Sequence, residues 1–294
     1  FLLIEELAMS TDILARIQAQ LHTFSKGQKR IANYILESYD KAAFMTASKL
    51  GKTVAVSEST VVRFAVELGF DGYPSMQRSL QEMVRTRLTS VQRIEAANDR
   101  FGDQDVVSSV LQSDIDSIRL TAESLDRREM AACVEAILQA KHIYIVGVRS
   151  SAALAAYLNF YFRNLFDNVR LVSSTATSEM FEQMLRVGAG DVVLGISLPR
   201  YSGRTVKVMQ YAHDRQATVL AITDKPDAPA GKFADHVLVA KSGMVSVVDS
   251  LVAAMSVINA LVVSIGRSQE RLLTQTFENL EHIWDEYDVY ERVQ

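Results

Sequence analysis

The apolar pattern of this chain changes period partway along, and that change constrains the fold more than any other feature. Up to about Leu125 the spacing is helical throughout, as in Ile31, Tyr34 and Ile35, then Val61, Phe64, Ala65 and Leu68, each set lying on one helix face. No strand is evident there. Beyond that point short β-branched runs alternate with helical stretches. Strand readings fall on His142–Val146, Val169–Val172, Val192–Ile196, Thr218–Ile222 and Val237–Val239. Helical readings fall on Ser151–Leu165, Ser178–Val187, Thr205–Arg215 and Lys232–Ala234. Strands alternating with helices imply parallel crossovers and a three-layer α/β sheet. The chain is therefore expected to hold two domains, all-α then α/β, which its 294 residues allow. Their expected bounds are 10–87 and 128–294, with a helical linker over 88–127.

Charge divides along the same line. From Phe24 to Arg93 eleven basic residues stand against six acidic ones, although the whole chain has a net charge of −4. A basic first unit beside an acidic remainder is the asymmetry expected when one part meets a polyanion. A single cysteine, Cys133, excludes an internal disulfide and a thiolate metal cluster. The apolar stretch Leu251–Ile265 is shorter than the ~20 residues of a bilayer crossing and carries Ser256, Asn259 and Ser264, so it reads as a buried helix. Phe1–Ala8 contains Glu5 and Glu6 without a basic start, so no secretory signal is expected. Cytoplasmic location, no membrane, no metal and no cofactor are the corresponding expectations.

Within the first unit, Ala47–Val66 fits a helix-turn-helix frame. Leu50, Val54, Val56, Val61 and Phe64 fall where two steeply crossing helices bury side chains, and Gly51 and Ala55 where backbones approach or turn. Ser57 is a natural N-cap for the second helix. The start of that helix then presents Ser57, Glu58, Ser59, Thr60 and Arg63. Ser57, Ser59 and Thr60 suit base edges or phosphates, and Arg63 suits guanine O6 and N7, with an ion pair to Glu67 as its competing use. Lys49, Lys52, Lys26, Lys29 and Arg30 are candidate phosphate anchors.

A wider string is more specific. Gln28–Leu36, Ala43–Thr46, Val56–Phe64 and Leu68–Tyr73 closely resemble the DNA-binding domain of the RpiR family of bacterial transcriptional regulators, over about residues 10 to 87. Ala55 stands where that family often has glycine, and Gly51 where alanine is more usual; the latter should weaken the first helix slightly.

In the second unit, Ile143–Val146 runs into Gly147, Val148, Arg149, Ser150 and Ser151 with a helix directly behind. Free amides, hydroxyls and the positive helix end suit an anion there, unless the serine merely caps its helix. Full dinucleotide spacing and a Walker lysine are both missing, which disfavours nicotinamide cofactors and nucleoside triphosphates. A second turn, Ser197 to Thr205, repeats the chemistry through Arg200, Tyr201 and Ser202. Two such turns at the carboxyl ends of parallel strands should face one crevice.

Together the turns resemble the sugar isomerase (SIS) domain, a flavodoxin-like fold whose Ser/Thr loops hold the phosphate of a phosphosugar, over roughly residues 128 to 270. The resemblance implies ligand contacts from Gly147, Arg149, Ser150, Ser151, Ser197, Arg200, Tyr201, Ser202 and Thr205. Arg149 and the insert Pro199-Arg200-Tyr201 depart from the plain motif and add guanidinium groups, implying a more strongly anionic or differently placed ligand. Pairing of Arg149 or Arg200 with Glu179 or Asp224 is the competing reading.

SIS domains also occur in aldose–ketose isomerases, which need a positioned base. Glu179, Glu182, His213 and His236 are the local candidates, and nothing singles one out, so no catalytic residue is assigned. The expectation is a regulator binding a double-stranded DNA operator under control of a phosphosugar or related anionic sugar derivative. The alternatives are a sugar-phosphate isomerase with an accessory helix-turn-helix domain and a regulator acting through another protein. A homodimer or homotetramer is expected, since paired reading heads match a pseudo-palindrome. Helices at Ala152–Phe166 and Leu251–Ile265 are candidates for the subunit contact, with burial inside one subunit as their competing use.

Overall fold

A computed structural model describes residues 13–87, 89–101, 105–244 and 246–290. The expected domain bounds at residues 10, 88 and 294, and Phe1–Ala8, lie outside the described residues. The chain divides into two compact units. The first runs to Ser109 and includes Met244–Val248, and the second comprises Val110–Gly243 and the chain from Asp249 onward.

In the first unit the helices are α1 (Ile13–Gln20), α2 (Lys26–Glu37), α3 (Tyr39–Ala42), α4 (Ala47–Thr53), α5 (Glu58–Glu67), α6 (Tyr73–Arg87) and α7 (Ser90–Phe101). Their starts are written in polar side chains. Ser25 and Gln28 form a reciprocal capping box on α2, Thr46 accepts from the Lys49 amide on α4, and Ser57 accepts from the Thr60 amide on α5. Ile31, Leu50, Val61 and Phe64 are fully buried, and Phe24 meets the Phe64 ring edge-on at 5.0 Å between centroids. Val54 and Val56, expected in the same core, are half-buried.

The second unit contains α8 (Val106–Ser124, shared with the first unit at its start), α9 (Arg127–Leu138), β1 (Ile143–Gly147), α10 (Ser151–Leu165), β2 (Val169–Val172), α11 (Thr177–Gln183), β3 (Val192–Ile196), α12 (Gly203–Asp214), β4 (Thr218–Thr223), β5 (His236–Val239), α13 (Val252–Ser268) and α14 (Glu270–Glu286). All sheet pairings are parallel, in the order β2-β1-β3-β4-β5, with Ile145 opposite both Leu171 and Leu194. This is the flavodoxin-like order implied by the SIS resemblance, while the alternation of short apolar runs implied its parallel, layered character. Period-two geometry splits β1 between two cores: Ile143 and Ile145 face α9, α10 and α13, while Tyr144 and Val146 face α11 and α12.

Three local readings need correction. Lys232–Ala234 is a single 3-10 turn, Gly231–Phe233, because so short a segment between a loop and β5 cannot repay helix nucleation. The helix read as Ser178–Val187 ends at Gln183. His236 opens β5 instead of preceding it, tied through Nδ1 to Glu129 Oε2 at 3.2 Å, and the same oxygen accepts from the Val237 amide.

Candidate functional site

The order of the strands creates a crevice before any side chain is considered. β1 sends its chain toward β2 on one side, and β3 sends its chain toward β4 on the other, so the loops after β1 and β3 diverge and leave a gap between them. Ligands in open parallel sheets bind at this switch point. A pocket of about 440 Å³ occupies this end, lined by Arg149 from the first loop, Thr177 from the start of α11, Arg200, Tyr201 and Ser202 from the second loop, and the first two turns of α12.

Close packing shapes the first loop. A Cβ on Gly147 would stand 2.6 Å from the Ser151 carbonyl oxygen and 2.9 Å from the Ala155 Cβ, so α10 starts hard against the strand end and only glycine fits. Two residues on, Arg149 has φ of 57°, and in the second loop Arg200 has φ of 65°. Left-handed backbone costs a side-chain-bearing residue about 1–2 kcal/mol, which is why glycine is common at the first position. Arginine there carries that cost and points a guanidinium into the pocket wall.

Neither serine serves merely as a helix cap. Ser150 and Ser202 occupy the N-cap positions of α10 and α12, but neither hydroxyl bonds its own helix. In α12 the Gly203, Arg204 and Thr205 amides precede the first intrahelical bond, which the Val206 amide makes to the Ser202 carbonyl oxygen. In α10, by contrast, the Ala152 and Ala153 amides already donate to the Arg149 and Ser150 carbonyl oxygens. Two further hydroxyls, on Ser197 (2% exposed) and Thr205 (0% exposed), are buried without a hydrogen-bond partner. Such orphans cost about 1–3 kcal/mol and are rare in native structures.

Acidic neighbours are already engaged. Asp224 Oδ1 accepts from the Tyr201 hydroxyl at 2.8 Å, and Glu179 accepts from Ser174 Oγ. Arg204 donates through Nη1 to the Thr175 carbonyl oxygen at 2.7 Å, which ties α12 to the loop after β2. Among the described residues Arg149 has no ionic partner, whereas Arg200 has an interaction within the chain.

Of the residues singled out from sequence, Arg149, Arg200, Tyr201 and Ser202 meet at the pocket lining. Gly147, Ser150, Ser151, Ser197 and Thr205 lie outside it: Ser150 is exposed, and the other four are buried. Thr177, Gly203, Arg204 and Lys207 also line it and were not assigned from sequence. The available signal was the three-residue spacing of Arg204 and Lys207, which puts both cations on one face within the first two turns of α12. Glu179, Glu182, His213 and His236 do not line the pocket.

On the first unit, Lys49, Lys52, Ser57, Ser59 and Arg63 are exposed, and Thr60 is half-buried. Ser57 Oγ lies 2.9 Å from Ser59 Oγ and 2.8 Å from Thr60 Oγ1, a hydroxyl cluster at the positive end of α5. Glu67, the expected competitor for Arg63, accepts instead from Gln28 Nε2. The start of α2 closes on the same surface, since a Cβ on Gly27 would be 3.6 Å from Thr60 Cγ2 and Val56 Cγ1. Lys26, Lys29 and Arg30 are exposed on that helix. Arg93, counted among the basic residues of this unit, is fully buried, and the side chains of Arg85 and Arg87 lie outside those described.

Gly51 has a reason beyond helix propensity. A Cβ there would stand 2.9 Å from the Val56 carbonyl oxygen, so the turn folds tightly back on α4. Ala55, in that turn, has φ of 53° and holds a left-handed conformation at a place suited to glycine.

A capped two-helix reading head and a switch-point pocket lined by arginines and a lysine define a two-domain transcriptional regulator of the helix-turn-helix and SIS class. Comparison with known proteins bears this out. Residues 11–86 match the helix-turn-helix domain of the rpiR family, and residues 136–264 match the SIS domain. The HTH-type transcriptional regulator HexR of Escherichia coli (strain K12) is 30% identical over 216 residues, 72% of this chain and 72% of that one. The chain belongs to the RpiR family of bacterial transcriptional regulators. The sugar isomerase domain of an RpiR transcription factor from Sphaerobacter thermophilus is 26% identical, covers 61% of this chain and 99% of its own, and superposes with a TM-score of 0.58. The Vibrio vulnificus NanR protein complexed with ManNAc-6P shares the fold at 23% identity, covering 94% of this chain and 99% of its own, with a TM-score of 0.58.

Proposed function

We propose that this regulator binds a double-stranded DNA operator through the start of α5 and that a phosphorylated sugar, or a related anionic sugar derivative, in the switch-point pocket modulates that binding. The observation that carries the effector half is the pocket lining, in which arginines and a lysine stand among hydroxyl and amide donors without a carboxylate or imidazole. The NanR complex with ManNAc-6P supports a phosphosugar at this fold. The proposed ligand residues are Gly147, Arg149, Ser150, Ser151, Ser197, Arg200, Tyr201, Ser202 and Thr205, joined by Thr177, Arg204 and Lys207.

For DNA, Ser57, Ser59, Thr60 and Arg63 are assigned to the groove and Lys49 and Lys52 to phosphates. The freedom of Arg63 from Glu67 supports its assignment. Domains over 10–87 and 128–294, a linker over 88–127 and a cytoplasmic location complete the reading. Among the described residues no single helix is long and apolar enough to cross a membrane, and no group of three or more His, Cys, Asp or Glu is placed to hold a metal.

Control of DNA affinity follows from linkage. A ligand that prefers one state of a homodimer shifts DNA binding by its differential affinity for the two states. α10 and α13 bury most of their apolar faces within one subunit yet leave Phe160 and Val263 each 62% exposed, which suits a second copy of the chain. The isomerase alternative is weaker, because none of its candidate bases borders the pocket.

The test is selection of DNA from a random pool by the full chain, then affinity for the selected sequence at fixed salt with and without phosphorylated sugars. At least one phosphorylated sugar should change the affinity. Arg63→Ala should cost about 1–3 kcal/mol at the selected site and relax its preference, while Lys49→Ala should weaken all sequences alike and reduce the salt slope by about one. A chain that selects no sequence, or whose binding no phosphorylated sugar alters, does not have this function. Turnover of a phosphosugar would favour the enzyme.

A further inference from the structure

We infer that the effector carries two separate anionic groups, a phosphate and a carboxylate, and that Arg149 reads the carboxylate. The inference rests on the effector reading above and specifies the chemical class of its ligand.

Charge matching starts the argument. Arg149, Arg204 and Lys207 line the pocket with no acidic residue among the lining, and Arg200, which has an interaction within the chain, is left out of the count. A phosphate monoester brings about −1.5 to −2 at neutral pH. Arg204 and Lys207 in the first two turns of α12, together with the positive end of that helix, already match it. The uncapped Ser202 hydroxyl and the buried orphan hydroxyls of Ser197 and Thr205 belong to the same strand-loop-helix segment. The phosphate therefore belongs at α12.

Arg149 approaches from the other wall, on the loop after β1. Its charge has no ionic partner among the described residues, and beside two other cations it is repelled unless the ligand brings a further negative group. Its backbone is left-handed, with φ of 57°, so the fork is held at a conformational cost that a plain glycine loop avoids. A planar guanidinium on a rigid turn suits bidentate capture of a carboxylate. A phosphorylated sugar acid has both groups, separated by the carbon chain.

Calorimetry on the full chain tests this with matched pentose and hexose pairs, each an aldose phosphate and the corresponding phosphorylated aldonic acid, beside the unphosphorylated acid. In at least one pair the phosphorylated acid should bind 10-fold or more tightly than the aldose phosphate. Arg149→Gly, which keeps the turn comfortable, should remove that preference by weakening the phosphorylated acid at least 5-fold more than the aldose phosphate. Arg149→Lys, which keeps the charge without the fork, should retain part of it. Equal affinities within every pair, or an Arg149→Gly variant that weakens both members alike, would overturn the inference and leave the effector reading standing. If no phosphorylated compound binds, both fall.

Discussion

The Tyr201 hydroxyl donates to Asp224 Oδ1 at 2.8 Å, joining the loop after β3 to the residue that follows β4. This bond holds one wall of the pocket by a neighbouring strand end. Asp224 Oδ1 also lies 3.4 Å from the Thr223 hydroxyl, so the carboxylate is shared between strand and loop. Tyr201→Phe removes the donor and keeps the ring. Hydrogen bonds to charged groups contribute about 1.5–3 kcal/mol. The expected result is effector affinity lowered several-fold with DNA binding in the absence of effector intact, read by calorimetry and anisotropy. Unchanged affinity would show that the loop holds its position without the bond.

The orphan hydroxyls give a prediction with two opposite signs. Ser197→Ala and Thr205→Val each delete a buried group with no partner, at nearly unchanged volume for the threonine. Ligand-free stability should rise by about 1 kcal/mol in each variant, because an unsatisfied hydroxyl is removed. Effector affinity should fall about tenfold in the same proteins if the ligand supplies the missing partner. Chemical denaturation and calorimetry read the two effects separately. A loss of stability would mean that the hydroxyls are satisfied in the free protein.

Much of the architecture was legible in sequence for a simple reason. Buried parallel strands such as Val192–Ile196 are continuous apolar runs bounded by turn residues, so their ends coincide with changes in composition. The site was legible only where chemistry and strand ends coincide, as at Arg149 and Ser202. Thr177 reaches the pocket through the docking of α11, which no local pattern encodes, and the Arg204–Lys207 spacing shows that the two cations share a helix face but not that this face meets the pocket. Burial of Arg93 was equally hidden, since a lone arginine in a helical repeat reads as solvated. The freedom of Arg63 depends on a contact between Gln28 and Glu67, thirty-nine residues apart, and spacing along one helix suggested the opposite pairing.

Ala55 offers a stability prediction in the reading head. Its φ of 53° penalises a β-carbon, so Ala55→Gly should stabilise the first unit by about 0.5–1 kcal/mol, the relief of strain exceeding the added freedom of the unfolded chain. Gly51→Ala should go the other way, since its new methyl would meet the Val56 carbonyl oxygen at 2.9 Å. Denaturation midpoints of the two variants and the parent protein check both signs at once. A less stable Ala55→Gly variant would show that the turn is not held left-handed in solution.

Alkaline pH should weaken the first unit through Tyr73. Burial pushes this phenol up to about 12 from its usual 10.0, and its hydroxyl donates to the Met45 carbonyl oxygen at 2.6 Å. The unfolded chain ionises near pH 10 while the native chain keeps its proton, so the unfolded state binds fewer protons over this interval. Stability from this group is therefore complete below pH 10, falls as pH rises, and is lost on passing through about 12. Allowing for partial hydration of the hydroxyl, the loss is on the order of 1–2 kcal/mol. Cys133, buried in the second unit and pushed up to about 12 from 9.0, adds a descent that begins earlier. Comparing denaturation across this range for the parent and Tyr73→Phe isolates the tyrosine, because the phenylalanine variant keeps the cysteine contribution. The variant should start less stable at neutral pH, having lost the bond to Met45, and converge on the parent as pH approaches 12. Parallel curves for the two proteins would show that Tyr73 ionises alike in both states.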